Sequence, residues 1–334
     1  MRVHPHTRFV LPDALNAGEP PEARGLSRDQ VKLLVAERST VTHTRFDRIG
    51  EYFRPGDLLL VNTSGTLPAA VDGSSATVHF STALDDGTWV VELRNGGGPR
   101  FDGTAGDQLE LPEGVLTLLA PYQPGANRLW IAKPPVADVL SYLQRNGRPI
   151  TYNYVGKRWP LAAYQTVFAR EPGSAEMPSA ARPFSFELVS QLASQGVLIA
   201  PILLHCGVSS LESHEPPLPE RYDVPAHTAR LVNWVKANGG RVIAVGTTAV
   251  RAIESAAGVD GVRPAGGWTD LVLGPDRPVR VVDGLITGMH APEASHLLLL
   301  EAVVGDETVQ RAYDAALSER YLWHEFGDSC LLLR

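Results

Sequence analysis

Two different patterns of hydrophobic and polar positions divide the chain. Between about residues 66 and 155, short apolar runs are separated by turns rich in glycine and proline, which predicts a small β-barrel or sandwich. From about Tyr164 onward, apolar runs alternate with stretches that carry apolar residues at helical spacing, which predicts alternating strands and helices. The predicted strands are 31–35, 57–61, 76–80, 88–93, 107–111, 115–119, 128–132, 197–205, 241–245, 271–273 and 279–286. The predicted helices are 138–145, 185–194, 226–238, 248–257, 293–304 and 308–320.

This order of elements predicts the fold class. Strand–helix alternation indicates an α/β core with a mostly parallel sheet. We therefore expect residues 1–65 and 156–334 to form that core, and residues 66–155 to form an inserted small β-barrel-like domain. A chain of 334 residues is long enough for two such units.

Composition narrows the possible functions. The chain has 30 Lys and Arg against 37 Asp and Glu, a net charge of −7, which excludes a generally basic nucleic-acid coat but leaves room for one local basic groove. The two cysteines, Cys206 and Cys330, cannot form a disulfide framework or a four-cysteine zinc site. The chain shows neither an apolar run of about 18 residues nor a signal-peptide core, so we expect a cytoplasmic protein without a membrane span. The sequence does not indicate an oligomeric state.

The strongest local motif joins the predicted strand 241–245 to a helix through Gly246, Thr247 and Thr248, with Arg251 one turn further on. Threonine hydroxyls and free helix amides at this point would face the carboxyl edge of the sheet, where open α/β folds bind ligands. A capped junction without any ligand explains the same residues. The motif contains neither a Walker A lysine nor Gly-x-Gly-x-x-Gly, which excludes those two modes of phosphate binding.

Two further segments place polar groups near the ends of predicted elements. Residues 164–184 mix Tyr164, Gln165, Thr166 and Arg182 with proline, glycine and aromatic residues, which is typical of a ligand-facing loop or of a linker that returns from the inserted domain. His205 and His290 each follow a predicted strand, where a histidine serves either in catalysis or as a hydrogen-bonded structural residue. Their spacing predicts no metal site.

Several motifs, in the same order along the chain, resemble the S-adenosylmethionine:tRNA ribosyltransferase-isomerase family of queuosine biosynthesis. The matching segments run from about residue 50 to 333 and are 54–58, 62–63, 68–69, 164–167, 171–173, 204–207, 237–255, 281–293 and 320–328. They include Ala-Asn-Gly-Gly-Arg before the Gly246 junction and Phe-Gly-Asp near the end of the chain.

The resemblance implies the predicted fold and a specific reaction. Members of the family transfer and isomerise the ribosyl part of S-adenosylmethionine onto 7-aminomethyl-7-deazaguanine in tRNA, which yields epoxyqueuosine, adenine and methionine. The expected partners are therefore S-adenosylmethionine as co-substrate and tRNA, with no metal and no prosthetic group. The reaction needs a general base, and the expected catalytic residues are His205 and His290. The expected substrate-binding residues are Tyr164, Gln165, Thr166, Arg182, Gly246, Thr247, Thr248, Arg251 and Asp283.

The chain also departs from the family pattern in its loops. Ser64 and Ala70 stand where the family has arginines, and Ala181-Arg182-Pro183-Phe184 stands where it has Gly-Leu-His-Phe. Ser209-Ser210-Leu211 replaces Gly-Thr-Phe, and the short proline-rich run 215–221 replaces a histidine-containing segment. Two hypotheses follow: an active transferase and isomerase with weak, salt-dependent tRNA binding, or a diverged, non-catalytic or repurposed paralogue that binds a nucleoside-like ligand or a protein partner.

Overall fold

A computed structural model describes residues 4–208, 218–274 and 276–334. The strands are β1 (Lys32–Glu37), β2 (Thr40–Arg45), β3 (Leu58–Asn62), β4 (Ser64–Thr66), β5 (Ala70–Asp72), β6 (Thr77–Ala83), β7 (Trp89–Asn95), β8 (Gly98–Pro99), β9 (Gln108–Leu111), β10 (Gly114–Pro121), β11 (Leu129–Lys133), β12 (Glu171–Ser174), β13 (Leu198–Leu204), β14 (Glu220–Val224), β15 (Val242–Val245), β16 (Ala257–Gly258), β17 (Gly261–Val262), β18 (Ala265–Thr269), β19 (Gly284–Gly288) and β20 (Ser329–Leu333). The α-helices are α1 (Val139–Asn146), α2 (Phe186–Ser194), α3 (Ala226–Ala237), α4 (Thr247–Ser255), α5 (Ser295–Val304) and α6 (Asp306–Ser318).

The central sheet is mixed, so the expectation of a mostly parallel core is not confirmed. Its strand order is β18-β14-β13-β3-β15-β19-β20-β1-β2. Strands β13, β3, β15 and β19 run parallel to one another, and β20 runs parallel to β1. The other pairings, which join β18 to β14, β14 to β13, β19 to β20 and β1 to β2, are antiparallel.

The antiparallel pairing of β20 with β19 has a simple cause. A single crossover helix returns the chain to the end of the sheet at which the preceding strand began, so the next strand runs parallel to that strand. Two helices, α5 and α6, connect β19 to β20 and pack against each other. The chain therefore re-enters the sheet at the same end at which β19 left it. As a result, β20 runs antiparallel to β19, with Gly284 opposite Leu333.

In the core, residues 271–273 do not form the predicted strand, and the strand predicted at 279–286 forms only from residue 284 onward, in β19. Residues 271–273 and 279–283 lie in no strand because side chains of α4 occupy their backbone groups. Arg251 donates to the carbonyl of Leu271 at 3.1 Å, and the Glu254 carboxylate accepts from the amides of Arg280, Val281 and Val282 at 2.8–3.1 Å. These bonds hold an irregular segment against α4 where the apolar pattern alone predicted strands.

The second large sheet is antiparallel and confirms the β-rich prediction for this part of the chain. Its order is β5-β6-β7-β11-β10-β9, with β8 also paired to β7. The sheet curls, so that the amide of Ser74, beyond β5, donates to the carbonyl of Glu110 in β9 at 3.1 Å. It encloses its own hydrophobic cluster, which includes Phe80, Trp130 and Tyr142 of α1. The division of the chain into domains at 65/66 and 155/156 stays a prediction.

Candidate active site

A cavity of about 530 Å³ lies between the carboxyl edge of the central sheet and the curled antiparallel sheet. Segments that are distant in sequence meet around it. They include the end of β6, the stretch after α1 with Tyr152 and Tyr154, the turn between β15 and α4, the loop from β19 into α5, the loop before β20, Tyr164, and residues 175–180, 206–208 and 271–273. The cavity thus brings together Tyr164, Gly246, Thr247, Thr248, Arg251 and His290 among the predicted site residues.

The turn at Gly246 directs the start of α4 at the cavity. Gly246 has a φ of +94° and a ψ of 154°, a backbone conformation that favours glycine. A Cβ atom there would lie 3.3 Å from that of Ala180 on the neighbouring wall. The side-chain amide nitrogen of Asn62 donates to the Thr248 hydroxyl at 3.3 Å and also to the backbone carbonyl of Leu204 at 2.8 Å. The turn therefore presents the first residues of a helix, with their positive dipole end, to the cavity.

The guanidinium of Arg251 is engaged by groups of the protein itself. It forms an ion pair with Glu220 and donates to the carbonyls of Leu218 and Thr269 at 3.2 Å each, besides that of Leu271. Glu220 also accepts from the amide of Gly207 at 3.3 Å. Arg251 therefore fixes the loops around one wall of the cavity with a compensated charge.

His290 occupies a position set by three neighbouring groups. Its Nε2 lies 2.8 Å from the Thr287 hydroxyl, its amide donates to the Tyr313 hydroxyl at 3.1 Å, and its carbonyl accepts from the Trp323 indole at 2.9 Å. The ring of His296, which sequence reasoning missed, stacks on it with centroids 4.5 Å apart. Burial lowers the pKa of His290 well below its ordinary value and that of His296 to about 4, so both imidazoles are neutral at pH 7.

Sequence reasoning also missed an aromatic and acidic wall. The rings of Tyr152, Tyr154 and His324 stack in series, with centroid distances of 6.0 and 4.3 Å. The Tyr152 hydroxyl donates to Glu176 and the Tyr154 hydroxyl donates to Glu325. Burial is the main cause that raises the pKa of both tyrosines, so they are protonated donors at neutral pH. Two features of the sequence could have indicated this wall. One is the pair of tyrosines in Tyr-Asn-Tyr, and the other is the adjacent His-Glu before Phe326.

Gln165, Thr166 and Arg182 lie outside the cavity lining. The Gln165 side chain exchanges two hydrogen bonds with the backbone of Thr66, at 3.0 and 2.8 Å. The Thr166 hydroxyl accepts from the amide of Phe168 at 3.3 Å. The Arg182 side chain is 3% exposed and donates to the carbonyl of Ala163 and to Glu22 at 3.0 and 2.8 Å. Each of the three makes contacts that organise the loop.

Asp283 lies at the opposite edge of the sheet. It immediately precedes β19 and accepts from the amide of Val242 at the start of β15, whereas Gly246 follows the end of that strand. Its carboxylate also binds the Lys236 ammonium at 2.7 and 2.9 Å. The structure does not bring Asp283 to the cavity, because the residue stands at the wrong end of its strand.

His205 lies behind the cavity wall rather than in it. Its Nδ1 is 2.7 Å from the Ser64 hydroxyl, which in turn is 2.6 Å from that of Ser174. Burial lowers the pKa of His205 to about 4. A Cβ added to Gly173 would lie 2.3–2.6 Å from the imidazole, so the ring is held tightly. The next residue, Cys206, does line the cavity, and burial raises the pKa of its thiol.

Part of the predicted loop variation cannot be placed. Ser209, Ser210, Leu211 and the 215–217 part of the proline-rich run lie outside the described residues. Among residues 4–208, 218–274 and 276–334, no group of three or more His, Cys, Asp or Glu side chains could hold a metal ion. Within these same ranges, no helix is long and apolar enough to cross a membrane.

Fold and site together define a mixed α/β protein whose cavity lies where the carboxyl edge of one sheet meets a second, curled sheet. The family model described as "Queuosine biosynthesis protein" matches residues 5–332. The chain is 35% identical to an S-adenosylmethionine:tRNA ribosyltransferase-isomerase of Symbiobacterium thermophilum, over 97% of this chain and 98% of that protein. It is 34% identical, over the same shares, to the protein of that name from Carboxydothermus hydrogenoformans.

A solved structure agrees with these relatives. The crystal structure of the Thermotoga maritima S-adenosylmethionine tRNA ribosyltransferase superimposes with a TM-score of 0.57 at 29% identity, covering 98% of this chain and 99% of the other. The chain therefore belongs to the queuosine biosynthesis family of S-adenosylmethionine:tRNA ribosyltransferase-isomerases. The family resemblance expected from the sequence motifs is confirmed.

Proposed function

We propose that this chain transfers and isomerises the ribosyl moiety of S-adenosylmethionine onto 7-aminomethyl-7-deazaguanine in tRNA. Family membership over nearly the whole chain supports this activity. The observation that carries it is the cavity of about 530 Å³, which has the size of a small-molecule site and collects the family's motif residues at the carboxyl edge of the sheet. The products are epoxyqueuosine, adenine and methionine.

The start of α4 has a role in binding the co-substrate. The first amides of a helix and the hydroxyls of Thr247 and Thr248 suit an anionic or carbonyl-like acceptor, and α4 presents both groups to the cavity. The methionine carboxylate of S-adenosylmethionine is such an acceptor. Tyr164 lines the same cavity and offers an apolar ring with a hydroxyl for the nucleoside part.

His290 is the general base in this proposal. The sulfonium acidifies the C5′ hydrogens, and a neutral imidazole at the cavity surface can accept one of these protons. The low pKa of the buried ring keeps it unprotonated, while Thr287 fixes its orientation. The N-glycosidic bond then breaks and adenine takes up a proton, and the C5′–S bond breaks with its electron pair left on the methionine sulfur. The aminomethyl nitrogen loses a proton and bonds to the transferred ribosyl group, whose own bonds isomerise to the epoxide-bearing ring. His205 serves this site as a buried support of the wall that carries Cys206.

Binding of tRNA to this chain follows from the same proposal. Outside a local basic surface, the net charge of −7 repels an anionic substrate, so the affinity for tRNA is low and falls steeply with salt. Single-stranded anticodon recognition needs a base pocket and a local basic surface rather than a basic protein.

We also propose residues 66–155 as a separate domain, because the curled sheet encloses its own hydrophobic cluster.

The direct test is incubation of the purified protein with S-adenosylmethionine and tRNA that carries the 7-aminomethyl base. Release of adenine and methionine, together with epoxyqueuosine in the digested tRNA, is the expected result. Thr248→Val removes one hydroxyl from the cavity and should slow the reaction, whereas Thr40→Val, at an exposed strand end, should not. Folded protein that binds S-adenosylmethionine without turnover would favour the repurposed paralogue.

A further inference from the structure

The loop before β20 places a half-buried carboxylate in the wall of the cavity. Glu325 lines the cavity and accepts a hydrogen bond from the Tyr154 hydroxyl. Because Tyr154 is stacked between Tyr152 and His324, and His324 is bonded to Asn16 at 2.9 Å, the position of this hydroxyl is fixed. Glu325 is thus aimed at the cavity by a rigid set of rings.

Among residues 4–208, 218–274 and 276–334, no cation forms an ion pair with the carboxylate of Glu325. Arg251 is the one basic residue besides histidine among the described cavity-lining residues, and it is paired with Glu220. No ion pair of the described residues includes Glu325. Burial and the nearby Glu176 raise the pKa of Glu325, which reflects the cost of an uncompensated charge at this place.

Tyr164 lies near Glu325 in the same wall. The hydroxyl of Tyr164 is buried, and it has no hydrogen-bond partner of ordinary geometry among the described residues. The Tyr164 residue is 3% exposed and lines the cavity, and its ring lies 5.0 Å from that of Phe326, the neighbour of Glu325 in the chain. Tyr164 therefore closes this wall next to Glu325, and its hydroxyl is shielded from the cavity.

We propose that Glu325 binds a positively charged onium group, a sulfonium or an ammonium, of the ligand in this cavity. The assignment rests on the proposed function, whose substrates carry such groups in three places: the sulfonium, the methionine ammonium and the aminomethyl group of the base. A carboxylate held in a partly desolvated wall attracts a cation more strongly than one in water. Binding of the cation would remove the cost of leaving Glu325 charged and unpaired.

Calorimetry with charge-matched ligands tests the assignment and distinguishes the three sources. The protein variants are Glu325→Gln, which keeps an acceptor for Tyr154 but removes the charge, and Glu319→Gln, an exposed control at the end of α6. The ligands are S-adenosylmethionine, S-adenosylhomocysteine, which lacks the sulfonium, and 5′-methylthioadenosine, which carries neither cation. Free 7-aminomethyl-7-deazaguanine and its 7-methyl analogue form the last pair.

Three comparisons are made: S-adenosylmethionine with S-adenosylhomocysteine, S-adenosylhomocysteine with 5′-methylthioadenosine, and the aminomethyl base with its methyl analogue. In one of them we expect Glu325→Gln to weaken binding of the ligand with the additional cation at least tenfold and to leave binding of the ligand without it unchanged. Loss for S-adenosylmethionine alone identifies the sulfonium, and equal loss for S-adenosylhomocysteine identifies the methionine ammonium. Loss for the aminomethyl base alone identifies that amine. Glu325→Asp, which keeps the charge, should retain more affinity than Glu325→Gln.

Two different results would overturn the assignment. Equal effects of Glu325→Gln on charged and neutral ligands, or no effect on any of them, refute the role of Glu325 while the proposed function stands. Wild-type protein that is folded but binds none of these compounds refutes the proposed function itself, and the onium site with it. A thermal melt of each variant separates loss of binding from loss of folding.

Discussion

The imidazole rings of His290 and His296 lie parallel to within 5°, with their centroids 4.5 Å apart, in one wall of the cavity. His290 belongs to the loop after β19 and His296 to the first turn of α5, so the pair ties the end of a strand to the start of a helix. Both rings are half-buried and neutral, which leaves a proton acceptor available at physiological pH.

Replacement of His290 tests its role as base. We expect His290→Gln to lower the rate of adenine release about 100-fold, because a positioned general base contributes roughly 10²–10⁴. His227→Gln, on the exposed side of α3, is the matched control and should leave the rate unchanged. Single-turnover assays with saturating S-adenosylmethionine measure the step, and a rate within twofold of wild type would remove His290 from the mechanism.

The buried histidines predict how stability depends on pH. Burial lowers the pKa of His324 to about 4 in the folded state, against about 6.5 in the unfolded chain. The unfolded state therefore binds more protons between these values, and the contribution of His324 is complete above pH 6.5 and is lost as the pH falls toward 4. From pH 7 to pH 5 it amounts to at most about 2 kcal/mol.

Urea unfolding at pH 7 and pH 5 measures this contribution. Wild type and the exposed control His227→Gln should both lose stability on acidification, and His324→Gln should lose up to about 2 kcal/mol less. The same difference between pH values in all three proteins would show that His324 titrates alike in the folded and unfolded states.

Gly246 and Gly305 provide a matched pair of glycines. Both precede a helix with nearly the same backbone, φ +94° and ψ 154° against φ +84° and ψ 151°. Alanine at either position should cost about 1–3 kcal/mol of unfolding free energy through strain. A Cβ at Gly305 meets nothing within 4 Å, whereas one at Gly246 lies 3.3 Å from Ala180 and borders the cavity.

Gly246→Ala should therefore weaken binding of S-adenosylmethionine by about tenfold or more, a loss of about 1.4 kcal/mol, whereas Gly305→Ala should leave it unchanged. Denaturant melts and calorimetry on both variants make the comparison. Equal affinities would mean that the turn at Gly246 serves only to start α4.

The sequence predicted the cavity best where a single segment carries both structure and chemistry. The strand, turn and helix around Gly246 could be identified because the apolar run, the glycine and the threonines are contiguous. The aromatic wall was missed because Tyr154 and Glu325 are 171 residues apart and meet only through the fold.

The failures at Asp283 and in the sheet have two different physical reasons. Asp283 lies in a matching motif, but whether a residue precedes or follows its strand decides which edge of the sheet it reaches. In the sheet, the sequence pattern predicted helices 293–304 and 308–320 in succession but no strand after them, so the antiparallel strand β20 was missed. Asp283 was misplaced because the predicted strand 279–286 begins only at residue 284, and element boundaries are the least certain part of a sequence-based prediction.

A substitution of Arg182 tests whether this residue contributes to the stability of the fold or to substrate binding. Its buried guanidinium joins the carbonyl of Ala163 to Glu22 and lies 5.2 Å from the centre of the Phe326 ring. We expect Arg182→Met to lower the free energy of unfolding by about 2 kcal/mol, because it leaves Glu22 and the carbonyl without their donor. Glu22 is partly exposed and can regain water, which keeps the loss below that of a fully buried pair.

The same substitution should change the KM for S-adenosylmethionine by less than about threefold, which corresponds to about 0.65 kcal/mol. Arg158→Met is the control, since its side chain is 71% exposed and its ion pair with Asp72 is long, at 3.5 Å. Denaturant melts and steady-state kinetics of both variants separate the two roles. A KM raised tenfold or more with unchanged stability would instead make Arg182 the substrate-binding arginine that the sequence motif predicts.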